Sequence, residues 1–182
     1  LIDSKKKLFE QSKTLIEIGG GFGSFTHNIL NNFNNIKKIF YLDMFPQIFI
    51  GYEYLKKIYE NKVFYHKDIS NFKFEDDDSV EICCILPHQL EKIKTKIDLL
   101  VNNNSFIEMS SDQIKFYVSN LERMNKGEDF KVFISSYNFD QSNNERISFD
   151  DLNNVMKKKL TIEKIKTLFP KNNKHEETII LY

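Results

Sequence analysis

The sequence predicts an α/β protein on a mostly parallel central sheet, flanked by helices and finished by a C-terminal antiparallel hairpin. Two observations carry that expectation. Short apolar, β-rich runs alternate with segments of helical spacing, and the first such run stops at a glycine cluster that opens onto a helix.

Lys13 to Ile18 has the composition of a buried strand, and Gly19-Gly20-Gly21 ends it in a tight turn. Phe25, Ile29, Leu30 and Phe33 then share one helical face. Lys38 to Asp43 is a second strand, closed by an acid. Met44 to Tyr59 is an apolar helical stretch, and Pro46 near its start suits a first turn. Two runs compete for the third strand. Val63 to His66 leads to Asp68, and Val80 to Leu86 leads to Pro87. The second is longer, more apolar and close before the next strand, so it is preferred. The first becomes a small extra strand in an insertion that includes the acidic loop Glu75 to Asp78. Ile97 to Asn102 is the fourth strand, Asp112 is placed to cap a helix reaching about Met124, and Lys131 to Tyr137 is the fifth strand. Leu160 to Leu168 and Glu177 to Tyr182, parted by Pro170 to Asn173, form the terminal hairpin.

A length of 182 residues suits a single domain over residues 1–182, large enough to bury a core. The chain opens on Leu rather than Met and its first strong motif begins at Thr14, so a further N-terminal region is expected. A formal net charge of +0 gives no global field toward nucleic acid or an anionic membrane. No apolar run approaches the roughly 20 residues of a membrane span, and no signal peptide is visible. Cys83 and Cys84 are adjacent in an apolar run and would point to opposite faces of a strand. Buried thiols in a reducing cytoplasm are the expectation. No His, Asp and Glu set has metal-ligand spacing, and Asp76-Asp77-Asp78 reads as a solvated loop.

The chemistry centres on Glu17-Ile18-Gly19-Gly20-Gly21-Phe22-Gly23, between a strand and a helix. Glycines there allow positive φ and a close approach of backbone to ligand. Counted from Gly19, the dinucleotide fingerprint would need a sixth-position glycine where the chain has Ser24. The spacing acid-x-Gly-x-Gly-x-Gly is met by Glu17, Gly19, Gly21 and Gly23, and it resembles the first motif of class I S-adenosylmethionine methyltransferases. In that reading the Glu17 carboxylate favours the ligand's ammonium directly or through water. The plain alternative is a strand–turn–helix corner with no ligand. Asp43, at the end of strand two, is placed to accept both hydroxyls of a ribose, since a carboxylate has two oxygens for a vicinal diol. Its alternative role is a helix N-cap.

Two further segments, Ile85-Leu86-Pro87-His88-Gln89-Leu90-Glu91-Lys92 and Ile97 to Met109 with its Ser105-Phe106 and Glu108-Met109 pairs, resemble the sugar O-methyltransferase family. The likeness runs from about residue 14 to 140. It implies a Rossmann-like class I methyltransferase fold, S-adenosyl-L-methionine as cofactor, and sugar or nucleotide-sugar hydroxyls of surface polysaccharides as acceptors.

On such a fold the ligand lies over the carboxyl ends of the strands. Leu86, Pro87 and His88 then fall near the adenine, or Asp68 if Val63 to His66 were the third strand. Asn102 falls near the methionine end, and Asn104, Ser105 and Tyr137 near the acceptor, with Asn138 beyond it. A sugar hydroxyl is a poor nucleophile and calls for a general base. His88 and Glu108 are the candidates, and His27, one turn into the first helix, is expected to be structural. The acceptor alternatives are another small metabolite, a protein or RNA, with neutral charge counting against RNA. A nicotinamide-dependent dehydrogenase and a non-catalytic adenosyl-binding domain are the rivals from other classes.

Overall fold

A computed structural model describes residues 6–65, 69–128, 130–137, 149–156, 161–166 and 176–181. Strands β1 (Thr14–Ile18), β2 (Lys38–Leu42), β3 (Val63–Tyr65), β4 (Glu81–Ile85), β5 (Leu99–Asn103), β6 (Lys131–Tyr137), β7 (Thr161–Lys166) and β8 (Glu176–Leu181) form one sheet in the order β3-β4-β2-β1-β5-β6-β8-β7. The first six strands run parallel, and β8 lies antiparallel between β6 and β7. The fold class expected from sequence is therefore the one observed, terminal hairpin included. Val80 to Leu86 does supply the strand beside β2, and Val63 to Tyr65 is an extra strand outside it. Asp68 lies outside the described residues.

The strands read as apolar runs because helices cover both faces. Ile16, Ile18, Phe40, Leu42, Cys83, Ile85, Leu100 and Ile134 face a core shared with α4 (Ser111–Met124) and α5 (Phe149–Met156). Leu15, Ile39, Tyr41, Ile82, Cys84, Leu99 and Phe133 face the opposite core, under α1 (Lys6–Glu10), α2 (Ser24–Asn32) and α3 (Gln47–Tyr59). The two-residue period of a strand sends Cys83 and Cys84 to opposite faces, and both thiols are free and buried.

One expectation needs correcting. The cap of α4 is Ser110, not Asp112. Ser110 Oγ accepts from Gln113 N at 3.3 Å while Gln113 Oε1 accepts from Ser110 N at 2.8 Å, a reciprocal capping box. Asp112 lies inside the first turn and pairs with Lys115 at 3.3 Å. At the other end of α4, buried Asn125 exchanges two hydrogen bonds with the backbone of Ile97, fixing the entry into β5.

The acidic loop is tied down at the amino ends of the strands. Lys38 Nζ donates to Asp77 Oδ1 at 3.0 Å, to Ser79 O at 3.1 Å and to the Glu81 carboxylate. Hydrogen bonds from Ser79 and the Lys38 ammonium hold the Asp77 carboxyl down at about 2. A solvent-open cavity of about 850 Å³ adjoins this loop, lined in part by Lys13, Asn34, Lys37, Asp76 and Thr95. It lies at the end of the sheet opposite the glycine turn, away from the strand ends where α/β sheets hold ligands.

Candidate active site

β1 and β2 end side by side, and the chain turns twice above them. Gly19 and Gly20 both donate to Leu42 O, at 2.8 and 3.3 Å, so the glycine turn is laid over the end of β2. Gly19, Gly21 and Gly23 have φ of 73°, 61° and 90°, a backbone region that side chains with a Cβ rarely adopt. Their surroundings differ. A Cβ on Gly19 would lie 2.1 Å from Ser105 Oγ, and one on Gly23 would lie 2.9 Å from Leu55 Cγ, whereas one on Gly21 would meet nothing within 4 Å. Gly21 thus borders open space, and that is where the loop can admit a ligand.

Asp43 stands at the edge of that space, half-buried. Its Oδ2 accepts from Gly21 N at 2.7 Å and its Oδ1 from Met44 N at 2.6 Å. Burial raises its pKa and the two N–H bonds oppose the rise. Each oxygen keeps a second lone pair for a hydroxyl. The alternative role as helix cap is not taken, because α3 begins at Gln47 after Pro46.

Glu17, expected to favour a ligand's ammonium directly or through water, is buried at the end of β1. Its residue is 1% exposed, and its Oε2 accepts from Thr26 Oγ1 on α2, behind the loop. Burial pushes its carboxyl up to about 7, the Thr26 hydrogen bond pulls it down, and the Asp43 charge adds to the rise.

The other predicted residues divide between two sides of the turn. Leu86 and Pro87 follow β4 and open a 3-10 turn over Pro87–Lys92, in which Gln89 Oε1 accepts from Leu86 N at 2.8 Å and His88 is exposed. Asn102, at the end of β5, is fully buried. Its amide donates to Ile18 O at 2.8 Å and to Ser105 Oγ, and its Oδ1 accepts from Phe106 N at 3.0 Å. Asn102 therefore braces the loop after β5 against the end of β1, a contact made through backbone and Ser105. Ser105 Oγ also donates to Ile18 O at 3.1 Å, close under Gly19. Asn104 takes φ 65°, which Asn tolerates, and its N–H donates to Ser135 O at 2.7 Å. Glu108 is exposed at the end of the turn Phe106–Glu108. Tyr137 ends β6, beside β5; its side chain and Asn138 lie outside the described residues.

Sheet order separates the two candidate bases. From β4 to β5 the order passes β2 and β1, three strand spacings or about 14 Å at the roots. His88 therefore belongs to the Asp43 side and Glu108 to the Asn104 side. His27 meets Tyr54 Oη at 2.6 Å through Nδ1, a packed structural setting.

Sequence reasoning missed Thr26, Tyr41 and Gly51. Tyr41 donates to Gly21 O, and its ring is wedged so that a Cβ on Gly20 would fall 2.1 Å from Cε2 and one on Gly51 2.0 Å from Oη. A signal existed for Tyr41, two residues before Asp43 and so on the same side of the strand. Thr26, nine residues from Glu17, had none.

The sheet order with its reversed strand, and the glycine turn between β1 and α2, define the Rossmann-like class I methyltransferase fold. No protein-family model matches the chain, and no curated protein matches it by sequence. Solved structures do match. The methyltransferase domain of a bacterial CtHen1-CN superposes with a TM-score of 0.63 at 11% identity, covering 99% of this chain and 94% of that one. Magnesium protoporphyrin IX methyltransferase from Synechocystis, with bound SAM, gives 0.58 at 9% identity, covering 99% and 73%. The mitomycin 7-O-methyltransferase MmcR gives 0.60 at 14% identity; it covers 95% of this chain, which spans only 49% of MmcR.

Proposed function

We propose that this chain is an S-adenosylmethionine-dependent O-methyltransferase acting on a hydroxyl of a sugar or nucleotide-sugar in surface polysaccharide synthesis. The observation that carries the cofactor assignment is the open space at Gly21 with the Asp43 carboxylate fixed at its edge. The residues suit the group: a bare backbone wall and a diol-accepting carboxylate. Two matching structures, PigF with SAH and the Synechocystis enzyme with SAM, hold this kind of ligand.

Gly19, Gly21 and Gly23 would give the cofactor a close wall, Asp43 its ribose contacts, and Leu86 and Pro87 an apolar edge for the adenine. Glu17 and Asn102 hold the loop from behind. When bound, the cofactor supplies a methyl group already activated on a sulfonium, so the protein's main task is to align an acceptor oxygen. Asn104, Ser105 and Tyr137 line the acceptor side in this reading. Glu108 is favoured over His88 as the base, because it follows the same strand as Asn104. The sugar acceptor rests on the resemblance of Asn102 to Met109, and the buried thiols suit a reducing cytoplasm.

A second reading keeps the cofactor and exchanges the sugar for an apolar small molecule. It is favoured by Phe22, Met44 and Phe45, which are 55%, 63% and 76% exposed around the loop.

Calorimetry with adenosylmethionine, adenosylhomocysteine and NAD tests the cofactor; binding of NAD alone overturns the assignment. Labelled methyl transfer to a panel of sugars, nucleotide-sugars and apolar phenols tests the acceptor. Turnover of Glu108→Ala and His88→Ala at saturating cofactor then separates the bases, with the larger loss expected for Glu108.

A further inference from the structure

Glu17 is a buried acid whose ionised form has no counter-cation among the described residues. Its carboxyl is sealed between β1, β2 and the first turns of α2. From α2 it meets the Thr26 hydroxyl, while His27, the next residue, is turned to Tyr54. From β2 it feels Asp43 and Tyr41, which are both acids. From β5 its register partner is Val101, followed by neutral Asn102. Among the described residues, no Lys, Arg or His forms an ion pair with it. The ionisable neighbours therefore favour the protonated carboxyl, and the hydrogen bonds from the Thr26 hydroxyl and backbone favour the anion.

Asp43, whose charge reaches this carboxyl, stands at the edge of the open space beside Gly21. An adenosyl amino acid bound there brings an ammonium and a carboxylate, and the methyl donor adds a sulfonium that makes it a net cation. We propose that binding of such a ligand drives the proton off Glu17, so that uptake of a cationic ligand is coupled to release of a proton to solvent. The inference rests on the adenosylmethionine reading. The O–H bond of the carboxyl breaks, its proton passes to water and buffer, no electrons change hands, and the Thr26 hydroxyl goes on donating to the carboxylate. Contact is not required. A unit positive charge about 6 Å away, in a partly polar medium, shifts an acid–base equilibrium roughly a hundredfold. With the free carboxyl near 7, both forms are present at neutral pH, and binding can select between them.

The test is calorimetric titration of adenosylmethionine, whose sulfonium gives it a net positive charge, into the full chain, in buffers of unlike ionisation enthalpy, at pH 6, 7 and 8. The same titration is run on Glu17→Gln, whose amide oxygen still accepts from Thr26 but holds no proton to lose. Any proton exchanged by Asp43 or the ligand's own ammonium is common to both proteins and cancels in the difference. The expected difference is about 0.8 proton released per ligand at pH 6, about 0.5 at pH 7 and little at pH 8, with wild-type affinity rising about tenfold from pH 6 to pH 8 relative to Glu17→Gln. Equal proton counts in the two proteins overturn the inference and leave the cofactor assignment standing. Failure of the wild type to bind either adenosyl ligand overturns both. If Glu17→Gln does not fold, Thr26→Val serves instead. It removes the hydroxyl that favours the anion and keeps the backbone N–H of residue 26, so the release window must move to higher pH, and an unmoved window overturns the inference.

Discussion

At the scale of single residues, the energetics of the site are dominated by side chains that sit behind the loop. Glu17 has a raised pKa, so the folded chain holds its proton more tightly than the unfolded chain does. Its contribution to stability is fully present below about pH 4.5 and is lost as pH rises through about 7. Glu17→Gln should therefore gain on the wild type between pH 5 and pH 8, by on the order of 3 kcal/mol, when urea midpoints of the ligand-free proteins are compared. Asp43 acts at the front. Asp43→Ala should weaken adenosylhomocysteine binding about tenfold or more, as loss of a charged hydrogen-bond acceptor does, and unchanged affinity in calorimetry would remove it from the site. The glycines are not equivalent either. Gly51→Ala drives a methyl to 2.0 Å from Tyr41 Oη and should cost about 1–3 kcal/mol of stability. Gly21→Ala meets no atom in the protein, so it should cost about 1 kcal/mol for its φ of 61° but abolish most ligand affinity. Thermal melts and binding isotherms on the same two variants would show the contrast.

At the scale of elements, the caps and strand ends explain what could be read in advance. The parallel strands were legible because burial on both faces forces continuous apolar runs such as Ile82 to Ile85. The glycine spacing was legible because only glycine accepts three positive φ values so close together. The start of α4 was misread because Asp112 and Ser110 are both good caps by type, and the choice turns on Gln113 reaching back to Ser110. Ser110→Ala should cost about 1 kcal/mol, a fall of roughly 2–4 °C in melting temperature, while Asp112→Ala should change little. In the candidate site, the residues that touch open space were visible from spacing. Those that brace the loop, Thr26 and Tyr41, were hidden because their partners are far along the chain. The division of His88 from Glu108 needed the sheet order, which no local pattern encodes.

At the scale of the whole molecule, the sheet places the candidate cofactor loop at its centre, where β1 is paired on both sides by β2 and β5. A ligand bound there is linked to the stability of the entire fold. Adenosylhomocysteine at a hundred times its Kd should add about 2.7 kcal/mol, raising the melting temperature by roughly 5–10 °C, with the rise absent in Gly21→Ala. The two faces of the sheet also divide the labour. The α4 side holds Phe106 and Tyr117 near the loop after β5, whereas the α3 side holds Tyr41 under the glycine turn.

The place of β8 has a consequence for how the molecule is made. β7 precedes β8 in the chain, yet it joins the sheet only through β8, which lies between it and β6. On a ribosome, β7 emerges with no seat to occupy, and β6 keeps an open edge until residues 176–181 are delivered. The sheet is thus joined from the inside by the later-made of the two strands, and a nascent chain stalled before residues 176–181 should expose two unpaired edges at once.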